Sequence, residues 1–217
     1  MVKSTGTKKR IAIFISGNGS NMKNLVKFSK IKNAPIKVDL VISSNKKSNA
    51  IQYLKKNKIY FKIFDFKQKN KDERKIFNIL KKREIKLICL AGFMKILSGN
   101  FIKRFKGKIL NIHPSLLPKY KGLNTHERAI LNNEKFSGCT VHYVNSKLDS
   151  GKIIIQKKVK ITNKDNPKSL SKKILKQEHL LYPKALKKIL SKALTNFLDF
   201  DTKLIIPTSE KISKEAL

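Results

Sequence analysis

The chain has 217 residues, of which 40% are hydrophobic, enough for one sizeable α/β domain with a buried core. It contains no apolar run of about 18 residues or more and no apolar leader segment, so neither a membrane span nor a signal peptide is expected. Its two cysteines, Cys89 and Cys139, lie in separate apolar segments, which excludes a disulfide framework and predicts buried thiols in a cytoplasmic protein.

The net charge of +36 has two interpretations, a nucleic-acid-binding surface or compositional drift. Lysines number 45 against 5 arginines, and Lys, Asn and Ile, all with codons rich in A and T, supply 90 residues. A nucleic-acid interface would use Arg more freely, because its planar fork binds phosphate and guanine bidentately. The lysines are also scattered along the chain. We therefore favour drift and expect no specific nucleic-acid partner.

Apolar, β-branched runs alternate with amphipathic stretches through the first half of the chain. Strand, helix, strand, helix is the pattern of a parallel sheet with crossover helices. The fold class predicted is α/β, with an open, twisted, mostly parallel sheet and helices on both faces. The predicted strands are residues 10–16, 37–43, 61–66, 86–91, 108–112, 140–144 and 152–161, and the predicted helices are residues 21–30, 48–57, 72–82, 125–133 and 167–191, the last kinked or restarted at Pro183.

The sequence SGNGSN, residues 16–21, joins the first strand to the first helix. Such a turn points backbone N–H groups at one spot beside the positive end of a helix, and Ser20 and Asn21 add side-chain donors. It is no P-loop, and it is a poor dinucleotide motif because the third glycine is absent and Asp39 lies inside the second strand. A small phosphate monoester fits better. The alternative is a tight turn with a structural role only.

The sequence NIHPSLLP, residues 111–118, ends the fifth strand. Strand alternation places Asn111 and His113 on one face, and Pro114 holds His113 in extended backbone. An amide donor and a titratable imidazole then stand together at a carboxyl edge, where ligands bind in open α/β sheets. The pair is suited to stabilise an oxyanion and to move a proton. The alternative is a core histidine with its hydrogen bonds satisfied.

Asp149 lies in a turn after the sixth strand. A carboxylate on a loop can orient an imidazole and stabilise its cation, although turn aspartates beside glycine are common. His126, His142 and His179 do not show metal-ligand spacing with the cysteines, so no metal is expected. Glu178, before the Pro183 break, is either a solvated acid or a substrate contact.

Four longer segments occur together and in a familiar order: ISGNGSN at 15–21, LAGFMKIL at 90–97, LNIHPSLLPKYKG at 110–122 and QEHLLYP at 177–183. On these motifs, from about residue 9 to about residue 190, the chain resembles the phosphoribosylglycinamide formyltransferases, folate-dependent enzymes of purine synthesis. The resemblance implies a Rossmann-like formyltransferase fold in one domain, 1–217. Its N-terminal half, about 1–107, would bind phosphate, its C-terminal half, about 108–193, would bind folate and carry catalysis, and 194–217 would be a divergent tail.

The resemblance also implies roles for individual residues. Glycinamide ribonucleotide would bind Gly19, Ser20, Asn21 and Glu178, and 10-formyltetrahydrofolate would be the co-substrate, with no metal. The catalytic residues would be Asn111, His113 and Asp149. The folate contacts would be Lys69, Met94, Lys95, Ile96, Leu97, Asn111, Asn145, Ser146, Lys147, Leu148 and Asp149.

In the implied reaction the ribonucleotide amine attacks the formyl carbon of the folate. Asn111 and protonated His113 would stabilise the tetrahedral oxyanion, and Asp149 would hold His113 charged and take the amine proton through water. Alignment of the two substrates would supply much of the rate. The enzyme is expected to be a monomer or a weak homodimer.

Three alternatives remain. Methionyl-tRNA formyltransferases share the NIHPSLLP motif but carry a further C-terminal domain, for which this chain is expected to end too soon. Formyltetrahydrofolate hydrolases carry an N-terminal regulatory domain and need no phosphate cradle, whereas the first strand here begins near residue 10. A basic RNA-binding protein without catalysis is disfavoured because no stacking platform of aromatics interleaved with arginines is present.

Overall fold

A computed structural model describes residues 8–203 of the chain. The strands and helices alternate through most of it. The strands are β1 (Lys9–Ile15), β2 (Ile36–Ser43), β3 (Phe61–Ile63), β4 (Leu87–Leu90), β5 (Lys108–His113), β6 (Phe136–Tyr143) and β7 (Ile153–Lys160), and the helices are α1 (Ser20–Ser29), α2 (Ala50–Lys56), α3 (Lys69–Lys82), α4 (Gly99–Arg104), α5 (Thr125–Leu131) and α6 (Pro167–Lys203).

All seven strands belong to one sheet in the order β3-β2-β1-β4-β5-β6-β7. The first five strands pair in parallel, and β6 and β7 pair in antiparallel fashion at one side. The chain runs outward from β1 to β3 and then returns to place β4 on the other side of β1. This reversal of strand order creates a crevice at the carboxyl ends of β1 and β4, the usual ligand-binding position in open α/β sheets.

The central strands of the sheet are buried on both faces, and the layers of helices confirm the predicted α/β class. In β1, Ile11, Ile13 and Ile15 pack into one apolar cluster, while Ala12 and Phe14 pack into another on the opposite face. The first cluster contains residues of α1, α2, α5 and α6, and the second contains residues of α3 and α4. The continuous apolar runs of the sequence follow from this two-sided burial.

Several boundaries differ from those predicted. Helix α4 was not predicted, because six residues are too few to show a helical period. Strand β3 is shorter than expected, and β6 begins earlier, at Phe136. Helix α6 passes through position 194 to Lys203, so only part of the predicted tail is described, and residues 204–217 lie outside the described residues. No helix of residues 8–203 is long and apolar enough to cross a bilayer.

The prediction that the last helix could restart at Pro183 is wrong, because α6 is continuous through that residue. Proline lacks the N–H that would bond the carbonyl four residues earlier, that of His179. In this protein Asn24 of α1 donates its amide Nδ2–H to the His179 carbonyl at 2.6 Å. A side chain from a neighbouring helix thus replaces the missing backbone donor, and the helix continues.

Tyr182 attaches α6 to the carboxyl ends of two central strands. Its side chain is fully buried, and its hydroxyl lies 3.1 Å from the carbonyl oxygen of Leu90 and 3.2 Å from that of Leu110. Leu90 is the last residue of β4, and Leu110 directly precedes Asn111 in β5. The contact therefore also supports the edge of the sheet at which the crevice opens.

We expect Tyr182→Phe to lower the free energy of unfolding by about 1–3 kcal/mol, because buried carbonyl oxygens lose their donor. Urea denaturation of parent and variant measures this difference. Tyr60→Phe is the matched control, since Tyr60 is 42% exposed and none of the described hydrogen bonds involves its hydroxyl. Equal effects of the two substitutions would show that the Tyr182 hydroxyl does not stabilise the fold.

Candidate active site

A cavity of about 1140 Å³ opens at the carboxyl edge of the sheet. Its walls come from distant parts of the chain: the turn after β1, the segment after β4, the end of β5, the turn after β6 and the first part of α6. The strand reversal between β1 and β4 brings these parts together. Every sequence-predicted site residue except Lys69 lines this cavity, and Lys69 is the first residue of α3.

Three polar side chains meet at the floor of the cavity: Asn111 and His113, which the strand spacing predicted together, and Asp149, which the resemblance added. His113 Nδ1 lies 3.4 Å from Asp149 Oδ2, and Asn111 Nδ2 lies 3.3 Å from Asp149 Oδ1. His113 is 5% exposed, and Ile112, on the opposite face of β5, is buried in the core. Strand alternation therefore places Asn111 and His113 on the same face of β5, and the turn after β6 places the Asp149 carboxylate beside both.

Two backbone groups fix this cluster from the segment after β5. His113 Nε2 lies 2.8 Å from the carbonyl oxygen of Tyr120, and the N–H of Gly122 donates to Asp149 Oδ2 at 2.9 Å. Because a carbonyl oxygen only accepts, Nε2 carries a proton. The nitrogen that gains or loses a proton is therefore Nδ1, which faces the carboxylate.

The electrostatic environment opposes charge on His113 in the unliganded protein. Burial lowers the pKa of His113, although the Tyr120 carbonyl and the Asp149 carboxylate partly counteract it. Burial alone would raise the pKa of Asp149, but the nearby His142 ring, 3.7 Å from Oδ1, the hydrogen bond from the Gly122 N–H and the charge that His113 carries when protonated hold that pKa below its usual value. At neutral pH the cluster thus presents an ionised carboxylate beside an imidazole that is ready to take a proton.

His142 completes the cluster from β6, directly opposite Asn111 in the sheet register. Its Nδ1 donates to the Tyr143 carbonyl at 2.8 Å, which leaves Nε2 as an acceptor for the Asn111 amide at 3.3 Å. The sequence placed His142 in the predicted strand 140–144 and showed no metal-ligand spacing for it. Its contact with Asn111 depends on the antiparallel register of β5 and β6, which the residues alone do not specify.

The turn after β1 has the geometry predicted for a phosphate cradle. Gly19 has a φ of +67°, and a Cβ there would lie 2.9 Å from the Cβ of Ala50, so glycine is required on two grounds. Ser20 begins α1, whose N-terminal backbone N–H groups and positive dipole end border the cavity. A small anion is therefore the type of ligand that this wall of the cavity favours.

Asn21 and Glu178, predicted separately, are bonded to each other. The Asn21 amide Nδ2 donates to Glu178 Oε2 at 2.7 Å, and both side chains are 7% exposed. The other amide atom, Oδ1, is buried without a described partner and is available to a donor from a ligand. Burial raises the pKa of Glu178 to about 7, although the bond from Asn21 partly counteracts the shift.

The far wall carries the segments predicted to bind folate. Met94, Lys95, Ile96 and Leu97 line the cavity after β4, and Met94 and Ile96 are each 67% exposed. Residues 145–149 line it after β6, with Leu148 54% exposed. Exposed apolar side chains around a polar floor suit a flat, partly aromatic ligand. The individual folate contacts, including that of Lys69, stay predictions.

Residues outside the predicted set also border the cavity. His126 of α5 lines it, and its Nδ1 is buried without a described partner. Among residues 8–191, whose side chains the structure describes, no group of three or more His, Cys, Asp or Glu is arranged to hold a metal ion. Cys89 and Cys139 are buried free thiols whose pKa values burial raises to about 12.

Comparison with known proteins gives a consistent set of relatives. A family model described as formyl transferase matches residues 9–186. The phosphoribosylglycinamide formyltransferase of Haemophilus influenzae is 39% identical over 182 residues, which cover 82% of this chain and 86% of that protein. The human trifunctional purine biosynthetic protein adenosine-3 is 38% identical over 187 residues, 85% of this chain but 18% of that protein. The chain thus spans less than a fifth of the trifunctional relative.

Solved structures agree in fold as well as in sequence. The phosphoribosylglycinamide formyltransferase of Brucella melitensis is 40% identical, with a TM-score of 0.80, covering 85% of this chain and 96% of that one. The enzyme of the same name from Bacillus halodurans is 38% identical, with a TM-score of 0.81, covering 85% and 97%. The seven-stranded, mostly parallel architecture is thus that of solved formyltransferase structures.

The buried Glu178 carboxyl predicts a pH-dependent stability. Its pKa is higher in the folded protein, about 7, than its ordinary value of 4.5, so the folded state loses stability as the pH rises between these values. The full effect is about 3 kcal/mol. We expect Glu178→Gln to be more stable than the parent at about pH 8, with a gain that shrinks toward about pH 5.

Urea denaturation of both proteins across this pH range measures the effect. Glu127→Gln is the control for removing a carboxylate, because Glu127 is exposed on the same cavity. A stability difference between Glu178→Gln and the parent that does not change with pH would contradict a raised pKa for Glu178.

Proposed function

The chain belongs to the formyl transferase family, and from this membership we propose that it transfers the formyl group of 10-formyltetrahydrofolate to the amine of 5-phosphoribosylglycinamide. The products are formylglycinamide ribonucleotide and tetrahydrofolate, in the synthesis of purines. One observation carries the proposal most directly: the Asn111, His113 and Asp149 cluster lies in one cavity with an anion-binding helix N-terminus and an apolar wall.

The ribonucleotide binds with its phosphate at the N-terminus of α1. Gly19 and Ser20 allow a close approach to the backbone N–H groups there, and the helix dipole favours the negative charge. Glu178 and the free Oδ1 of Asn21 supply acceptors for the hydroxyl or amine groups of the same substrate. This arrangement directs the glycinamide amine toward Asp149.

The formyl folate binds against the segments after β4 and β6. Met94, Ile96 and Leu148 offer apolar surface, and Lys95 and Lys147 offer positive charge at the rim for the folate carboxylates. The formyl group then reaches the cluster at the floor. The donor is already activated, so the protein contributes alignment, proton movement and stabilisation of charge.

In the chemical step the amine nitrogen bonds to the formyl carbon and the carbonyl oxygen becomes an oxyanion. The Asn111 amide turns from its two long contacts of 3.3 Å to donate to this oxygen. The new negative charge raises the pKa of His113, so a proton taken up at Nδ1 creates an imidazolium beside the oxyanion and Asp149.

Collapse of the intermediate breaks the bond between the formyl carbon and the folate nitrogen. The amine proton passes through water to Asp149 and from there to the leaving nitrogen of tetrahydrofolate, while His113 releases its Nδ1 proton to water as the oxyanion becomes a carbonyl again. Asp149 therefore has two functions, to hold the His113 cation and to accept a proton. Both depend on the position that the Gly122 N–H gives to its carboxylate.

The phosphate cradle distinguishes this proposal from its rivals. A hydrolase that transfers the formyl group to water has no need for the glycine-dependent turn before α1. A cytoplasmic location and a monomer or weak homodimer remain predictions from the sequence.

An acceptor competition tests the proposal. With equal enzyme and formyl folate, we expect rapid formylation of glycinamide ribonucleotide, little formylation of initiator methionyl-tRNA and little release of formate to water. Product formation is followed by mass spectrometry with a labelled formyl group. Faster formylation of the tRNA under matched conditions would reject the proposed acceptor.

We expect Asp149→Asn to lower kcat by roughly 10²–10⁴, because the substitution preserves shape but removes the proton acceptor and the charge that supports the His113 cation. Thermal stability and tetrahydrofolate affinity should stay close to the parent values. Steady-state kinetics and calorimetry measure these effects. A folded Asn variant that keeps more than about a tenth of parental kcat would assign Asp149 to the turn rather than to the reaction.

A further inference from the structure

Glu73 of α3 is buried away from the polar floor of the cavity. It is 5% exposed, and no described Lys, Arg or His nitrogen lies within ion-pair distance of its carboxylate. Burying an unpaired carboxylate is costly, so hydrogen bonds must compensate it. Its described hydrogen bonds all come from one residue, Ser98, at the start of α4.

Ser98 contacts both carboxylate oxygens at once. Its N–H donates to Glu73 Oε1 at 2.7 Å, and its hydroxyl donates to Oε2 at 2.5 Å. The same hydroxyl oxygen accepts the N–H of Phe101 and so caps α4. A carboxylate suits this position better than an amide, because each of its oxygens accepts one of two donors from the same residue.

Ser98 directly follows the folate-facing segment, which we define as residues 92–97. Ser16 attaches the beginning of this segment: its N–H donates to the Gly92 carbonyl at 3.0 Å, and its hydroxyl accepts the Met94 N–H at 2.8 Å. The Phe93 ring packs edge-on against Phe14 and Phe66. The pair of Glu73 and Ser98 attaches the other end.

Between these attachments the backbone has little support of its own. None of the described hydrogen bonds involves a backbone group of residues 95–97. Ile96 is 67% exposed, while Leu97 is buried and holds the segment only through packing. The position of the folate-facing segment therefore depends on its two attachments, to Ser16 at the beginning and to Glu73 through Ser98 at the end.

We propose that Glu73 is a positioning residue for the formyl-folate donor, acting through Ser98 on the folate-facing segment. The proposal rests on the proposed function for the identity of the ligand, but not for the attachment itself. Glu73 does not line the cavity, so its effect reaches the ligand only through the segment. Loss of the attachment weakens the donor site and leaves the ribonucleotide site, on α1 and α6, unchanged.

The test compares Glu73→Gln, Ser98→Ala and the double variant with the parent. We expect each single variant to raise the KM for 10-formyltetrahydrofolate about tenfold, and the double variant to raise it by much less than the product of the two, because both break the contact between Glu73 and Ser98, although Ser98→Ala also removes the cap of α4. The KM for the ribonucleotide should change less than about twofold. Equal rises in both KM values would overturn the proposal, since they would indicate general loss of structure.

Asp165 and Ser169 provide the matched control. They form a similar carboxylate–serine contact at the start of α6, where Ser169 Oγ donates to Asp165 Oδ1 at 2.8 Å, and neither residue lines the cavity. We expect Asp165→Asn and Ser169→Ala to leave the KM for the folate donor unchanged. A rise as large as that of Glu73→Gln would show that any loosened helix start affects folate binding, which contradicts the proposal.

Amide hydrogen exchange separates this inference from the proposed function. Glu73→Gln should speed exchange of the Met94 and Ser98 amides, the hydrogen-bonded N–H groups at the two ends of the segment, and spare β1 and α1, whatever the acceptor. If the parent fails to formylate the ribonucleotide, calorimetry with tetrahydrofolate decides: weaker binding by Glu73→Gln supports the proposal, and unchanged binding overturns it. Unchanged exchange of both the Met94 and the Ser98 amide also overturns it. If Glu73→Gln does not fold, the same measurements are made on Ser98→Ala.

Discussion

The buried imidazole of His113, held between a backbone carbonyl and a carboxylate, is the constraint on which the rest of the site depends. The Tyr120 carbonyl fixes a proton on Nε2, so only Nδ1, facing Asp149, changes its protonation. Burial disfavours the cation in the empty site, and a developing oxyanion would favour it. In the proposed reaction the site would thus gain a stabilising positive charge at the moment when negative charge appears.

The sheet makes this arrangement possible by joining residues that are far apart in the sequence. The reversal between β1 and β4 puts the N-terminal end of α1 opposite the apolar segment after β4, with β5 as the floor. Strand β6 runs antiparallel to β5, and the turn that follows β6 lies against β5. Two substrates can bind on facing walls, and their reacting groups meet over one cluster, which lowers the entropic cost of the reaction.

Much of the fold and of the site was predictable from the sequence, because the patterns that indicate them lie within short segments of the chain. Two-sided burial produces continuous apolar strands, and the two-residue period of a strand places Asn111 and His113 on one face. The Tyr120 carbonyl was not predictable, because a main-chain acceptor leaves no signature in residue type. The bond between Asn21 and Glu178 joins two helices distant in sequence. The continuity of α6 through Pro183 depends on a side chain of α1, which no pattern within α6 could reveal.

The protonation of His113 is the measurement that tests this account most directly. Long-range proton–nitrogen spectra of the protein with labelled histidine, recorded across the range in which imidazoles titrate, resolve the two ring nitrogens, and His113→Gln assigns the signal. The account predicts that Nε2 keeps its proton throughout, while Nδ1 alone titrates, with a pKa below that of a free histidine. A neutral His113 with its proton on Nδ1 would contradict the account, because Nε2 could not then donate to Tyr120.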